Sequence, residues 1–279
     1  FQAEDGIRDR SPSRGLGDVY KRQMKNETNI AKKQTGALAA NIFEADANVG
    51  SQNIEQEDLA LPFIKVLGQL SPEVNKRDAG KYVQGAEPGM ILNSVTKELF
   101  DGAKGIEVLP CSYERKYLQW KPRELGGGLV SIHAVDDPIV KTTKRDQMNR
   151  DVLPNGNYLE NTANHFVVVL GTVPSTALVS MTRTQLKVSR SWNSMMMSIK
   201  MQGEKGLFTP PTFSHVYKLK SVQLTNDKGS WFGWDISKTG PVKDQSSYKI
   251  AKDFAASISK GEVEVKHEGE TEQTEKSPY

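Results

Sequence analysis

Two apolar runs, His165 to Leu170 and Ala177 to Thr182, lie back to back across Gly171-Thr172-Val173-Pro174-Ser175. Runs of six residues rich in Val, Leu, Phe and Met are too short for a packed helix, and Gly and Pro bound the connection between them. They read as a central β-hairpin that supplies much of the core. A chain built around such a hairpin needs further strands to pair its edges, and the sequence offers them. Ile106 to Cys111 runs on into Tyr113-Glu114-Arg115-Lys116-Tyr117-Leu118-Gln119-Trp120, with Pro110 marking an edge or a bulge, since proline donates no ladder hydrogen bond. Leu129 to Val135 returns from Gly126-Gly127-Gly128. His215 to Leu224 and Trp231 to Ser237 flank Asn226-Asp227-Lys228-Gly229, whose residues suit a hairpin turn.

Helices are expected at two places. Trp192, Met195, Met196 and Ile199 recur at helical spacing, with Ser189 or Ser191 available to cap the start. Gln245 to Lys260 places Tyr248, Ala251, Ala255 and Ile258 on one face and stops at Gly261. The fold class is therefore mainly β with peripheral helices, occupying 59–260 as one domain. Residues 136–165 are polar and read as a long, mobile excursion. Residues 24–58 and 261–279 are poor in large apolar groups and read as disordered. Residues 1–23 differ from the rest, resemble translated sequencing-adapter read-through, and are set aside from the fold, with Met24 as the expected start.

Charge is unevenly distributed. The overall +3 divides into +9 over 61–260, +1 over 1–23, -3 over 24–60 and -4 over 261–279. A basic body between acidic ends suits a handler of nucleic acid. No Gly-x-Ser-x-Gly elbow, His-Glu-x-x-His or Walker pattern is present, so no enzyme is expected. A lone Cys111 and four scattered histidines give no metal site, and no cofactor is expected. No apolar run approaches the roughly 20 residues of a membrane span, and the chain is read as cytoplasmic without a membrane partner.

Aromatic and basic residues recur together in three stretches: Tyr113 to Arg123, Arg183 to Trp192 and Tyr217 to Trp234. Bases stack on aromatic rings while Lys and Arg hold phosphates, so this mixture suits a single strand. The candidate stacking residues are Tyr113, Tyr117, Trp192, Trp231 and Trp234. The candidate phosphate contacts are Arg115, Lys121, Arg123, Arg183, Lys187, Arg190 and Lys218. Alternation in a strand puts Tyr113, Arg115 and Tyr117 on one face and Trp120 on the other, which leaves Trp120 to the core. The competing reading makes the same rings core and intersubunit packing in a structural or assembly protein.

Leu61-Pro62-Phe63-Ile64-Lys65, Ser71-Pro72-Glu73, Thr182-Arg183-Thr184-Gln185-Leu186-Lys187 and Lys228-Gly229-Ser230-Trp231-Phe232, with the Tyr113–Arg123 stretch and Gly126-Gly127-Gly128, resemble a family of tailed-phage proteins. The organisation is similar to that of phage single-stranded DNA-binding proteins. That resemblance implies an OB-type barrel, a basic groove, single-stranded DNA as partner during replication or recombination in the host cytoplasm, and replication proteins recruited through the acidic tail; a homo-oligomer is a candidate that the sequence leaves open. Lys266 and Lys276 interrupt the tail's glutamates, and it ends in Ser-Pro-Tyr, a departure from the acidic-tail pattern.

Overall fold

A computed structural model describes residues 46–47, 49–53, 59–227, 229–263 and 265. The chain divides into two compact units, 1–54 and 55–279. In the first, the described residues form turns, one closed by the Val49 amide donating to the Asp46 carbonyl at 3.1 Å. The adapter-like segment 1–23 and most of the two stretches read as disordered, 24–58 and 261–279, lie outside the described residues.

The second unit is mainly β. A small antiparallel sheet comes first, formed by β1 (Ile64–Val66), β2 (Ile91–Asn93) and β3 (Leu99–Phe100). The principal sheet has eight strands: β4 (Ile106–Trp120), β5 (Leu129–His133), β6 (Lys144–Arg145), β7 (Asp151–Val152), β8 (Tyr158–Leu170), β9 (Ser175–Thr182), β12 (His215–Asn226) and β13 (Gly229–Pro241). Its order is β13-β12-β4-β8-β7-β6, with β5 added to β4 and β9 to β8, and it curls into a half-barrel. A separate hairpin comprises β10 (Met201–Gly203) and β11 (Gly206–Phe208), and the two helices are α1 (Leu186–Met197) and α2 (Gln245–Lys260).

The hairpin that anchored the sequence reading is β8–β9, in register from Thr162 opposite Thr182 to Val169 opposite Ser175. It is buried on both faces, which is why its sequence is a continuous apolar run rather than an alternation. Odd-numbered β8 residues Ala163, Val167 and Val169 join Val179, Met181 and Trp192 of α1 in one core cluster. Even-numbered Phe166 and Val168 join Leu109, Cys111, Ala251 and Phe254 of α2 in another. Each helix thus covers one face of the same sheet.

Pro110 marks a bulge. Pro110 pairs with Val167 and Ser112 with Phe166, so Cys111 is the inserted residue and the alternation shifts by one beyond it. Without that shift Tyr113 and Arg115 would lie on the α2 face. Burial pushes the Cys111 thiol up to about 12, so it is a small buried residue rather than a reactive one.

Helix α1 begins earlier than its apolar stripe suggests, at Leu186, and neither Ser189 nor Ser191 caps it. Ser189 is buried and lies 2.7 Å from His165 Nε2. The residue before the helix, Gln185, uses its side chain to accept from the Trp234 amide at 2.9 Å, tying the helix start to β13. Helix α2 matches its expected limits. Asp244 accepts from the Ser246 and Ser247 amides at its start, and Gly261, at φ 78°, ends it in the left-handed region. The polar excursion 136–165 is structured over its described length: a 3-10 turn, Pro138–Thr142, then the β6–β7 hairpin and the start of β8.

Candidate nucleic-acid interface

Tyr113, Arg115 and Tyr117 share one face of β4, opposite His165, Ala163 and Asn161 of β8. Tyr113 and Arg115 are exposed and Tyr117 half-buried, whereas Gln119, next on that face, is buried against His133. The His133 ring is held on both sides, by Gln119 Oε1 at 2.9 Å and Asp137 Oδ2 at 2.8 Å. The Ile139 amide and His133 hold the Asp137 carboxyl below the usual carboxylate range.

Tyr113 does not stand alone. Its ring lies 5.0 Å from that of His165, which stacks on Trp192 at 4.4 Å and 22°, and Trp192 meets Tyr217 edge-on at 5.8 Å. This ladder of rings runs from a surface tyrosine into the core. Trp192 and Tyr217 are completely buried, so Trp192 is corrected from a stacking candidate to the support of one. Trp234 is corrected likewise. It is 5% exposed, because Trp234 pairs with Ser221 on the face of the hairpin that packs over α1.

Two further candidates lie on the wrong face. Lys218 pairs with Glu107, which pairs with Leu170, and these residues share the α2 side of the sheet. Trp231 is half-buried and alternates with Trp234, so it too points away from Tyr113. Trp120 is half-buried on the face opposite Tyr117. Lys121, Lys187 and Arg190 are exposed.

Arg123 and Arg183, sixty residues apart in sequence, line the same cleft of about 790 Å³. Its floor is Tyr158 to Asn161 at the start of β8. Arg183 and Thr184, at the junction from β9 to α1, and Arg145 and Arg150, of the β6–β7 hairpin, line the cleft too. Arg145, Arg150, Tyr158 and Asn161 are not among the candidates from the sequence, because the stretch that holds them, 136–165, reads as a polar excursion. The signal available was three cations, Lys144, Arg145 and Arg150, within fifteen residues of an aromatic, Tyr158. Asn161 joins the cleft to the β4 face, its Nδ2 lying 3.5 Å from the Tyr117 hydroxyl.

The cations are anchored by carboxylates. Arg183 Nε reaches Glu160 at 2.8 Å and Arg150 Nε reaches Asp146 at 2.8 Å; Arg145 Nε lies 3.8 Å from Asp151. The Arg150 amide and guanidinium hold the Asp146 carboxyl below its ordinary range. Among the described residues no group of His, Cys, Asp and Glu could hold a metal ion, and no helix is long and apolar enough to cross a membrane.

A family model described as Pam3 phage gp34-like protein matches residues 32–264. The chain belongs to this phage family. Neither a curated protein nor a solved structure matches it. The matched range takes in every strand and helix described here.

Proposed function

We propose that this protein binds single-stranded DNA without catalysing a reaction, in phage replication or recombination within the host cytoplasm. The observation that carries the reading is the convergence of Tyr113, Arg115 and Tyr117 on one accessible face, linked through Asn161 to a cleft that gathers Arg123 and Arg183. Rings that stack bases and cations that hold phosphates are the two ingredients of sequence-tolerant strand binding. In this reading the half-barrel is a partly open OB-type barrel, Lys121, Lys187 and Arg190 flank the path, and the acidic segment 261–279 recruits replication proteins.

The test is titration of labelled oligo-dT at several salt concentrations. Each stacked base contributes about 1–3 kcal/mol, so Tyr113→Ala and Tyr117→Ala should each weaken binding roughly 5- to 150-fold. Arg115→Ala should flatten the log-log salt dependence by about 0.7. No binding at low salt, or binding untouched by the tyrosine substitutions, rejects the proposal.

A structural or assembly role is the second reading. It is favoured by the exposed apolar side chains Met197, Met201, Leu207 and Phe208 at the end of α1 and on the β10–β11 hairpin.

A further inference from the structure

The arginine cleft differs in chemistry from the tyrosine face. Four guanidiniums, from Arg123, Arg145, Arg150 and Arg183, share it with three carboxylates, Glu124, Asp151 and Glu160. With Asp146 paired to Arg150, four carboxylates balance the four guanidiniums, so the cleft is no funnel for a run of phosphates, and what it offers one phosphodiester is the placement of its N–H donors rather than net charge. Its volume falls in the range that takes one small ligand.

The way the guanidiniums are held points the same way. Arg183 and Arg150 are anchored through Nε, and among the described residues no hydrogen bond engages their terminal Nη groups. Arg123 makes neither an ion pair nor a side-chain hydrogen bond among those residues. A guanidinium offers five N–H donors in a fixed fork, so anchoring at Nε sets the plane and leaves the outer edge to meet phosphate oxygens.

Backbone geometry adds a second observation. Arg183 at φ 51° and Asn149 at φ 60° are two of the three non-glycine residues with positive φ among the described residues, and both line this cleft. Arginine adopts that conformation only where its surroundings impose it, and such positions cluster at ligand sites. For the rest of a nucleotide the cleft supplies the Tyr158 ring, with the Arg150 guanidinium 5.4 Å from its centroid.

We infer that this cleft seats one nucleotide of a bound strand, its phosphodiester forked by Arg123 and Arg183 and its base against Tyr158. The inference rests on the strand-binding reading and adds to it a discrete subsite selective for a single phosphodiester.

The test uses the full chain with the dinucleotide TpT, which carries one phosphodiester, and with thymidine, which carries none. TpT should bind saturably and at least tenfold more tightly than thymidine. Arg123→Ala and Arg183→Asn should each weaken TpT at least fivefold, while Tyr113→Ala leaves it within twofold. Asparagine tolerates the left-handed region, so Arg183→Asn should keep the wild-type melting temperature within a few degrees, which separates loss of the site from loss of the fold. Equal affinity for TpT and thymidine, or TpT binding indifferent to both arginine substitutions, overturns the inference. If oligo-dT still binds and still depends on Tyr113, the strand-binding reading survives that result. Absence of oligo-dT binding instead removes the strand-binding reading, and TpT then decides the cleft by itself.

Discussion

His165 makes the stability of this protein depend on pH in a window where carboxylates are silent. Its side chain is fully buried between Tyr113 and Trp192, Nε2 meets Ser189, and Nδ1 has no partner. No carboxylate pairs with the ring, and burial lowers its pKa from 6.5 to about 3. Above pH 6.5 the imidazole is neutral folded or unfolded and contributes no pH dependence. As pH falls below 6.5 the unfolded chain takes up a proton that the folded chain refuses, so stability is lost progressively until about pH 3. One pKa unit corresponds to 1.36 kcal/mol, so the loss reaches about 2 kcal/mol at pH 5. With a urea m-value of about 2 kcal/mol/M, the midpoint should fall by about 1 M between pH 7 and pH 5. The carboxyls of Glu73, Asp137, Asp146 and Asp244 are held below their usual values, and their stabilisation is lost only below about pH 4.5. His215, lowered by burial and by Lys238, adds in the same direction. The decisive comparison is therefore His165→Phe, which keeps a ring on Trp192 but cannot titrate. It should be less stable at pH 7, because Ser189 is left buried without a partner, yet its urea midpoint should fall between pH 7 and pH 5 by about 1 M less than that of the wild type, only the His215 share remaining. A variant with the wild-type slope would refute the assignment.

Other substitutions separate the roles of individual side chains. Trp192→Ala should cost about 3–5 kcal/mol in chemical denaturation, as expected for a buried tryptophan under a packed sheet. Gly102→Ala should cost about 3 kcal/mol or more, since the added Cβ would lie 1.8 Å from the Gly89 carbonyl oxygen and 2.7 Å from Ser221 Cβ. Asp244→Ala should cost about 1 kcal/mol in thermal melting through loss of the α2 cap. Lys218→Ala should leave oligo-dT affinity and its salt dependence unchanged, because Lys218 lies on the α2 side of the sheet, away from Arg115.

Strands β4, β5, β9, β12 and β13, the second half of β8 and helix α2 were legible because each is written in local signals: apolar runs for β8 and β9, turn residues between β12 and β13, Asp244 and Gly261 around α2; β6, β7, β10, β11 and the polar start of β8 carry no such signal. The bulge at Cys111 was signalled by Pro110. Helix α1 was misplaced at its start because Ser189 looks like a cap, yet its hydroxyl is used by a histidine two strands away in sequence. Nothing local announces that partnership. The candidate site suffered in the same way. Tyr113, Arg115 and Tyr117 follow from alternation within one strand, but the aromatic stretches around Trp192 and Trp234 resemble it only in composition. Whether a tryptophan is a platform or a pillar depends on which face of which strand covers which helix, and that is a tertiary fact.

Burying Trp192 strengthens the case for Tyr113 rather than weakening it. A tyrosine on an open strand face is free to swing, and stacking a base on it costs the entropy of fixing the ring. Here the ring rests on His165, which is clamped by Ser189 and Trp192, so its orientation is set before any ligand arrives. The cations of the cleft follow the same logic. Arg183 and Arg150 give one N–H each to a carboxylate and keep their outer edges unengaged, so part of the ordering cost is met in the free protein. Both devices rely on groups distant in sequence from the residues they hold: Glu160 for Arg183, and Ser189 for the ring under Tyr113. Glu160→Gln should therefore strengthen TpT binding less than the loss of one negative charge demands, because the repulsion relieved is offset by the freedom returned to Arg183, and a titration of TpT against the wild type measures the difference.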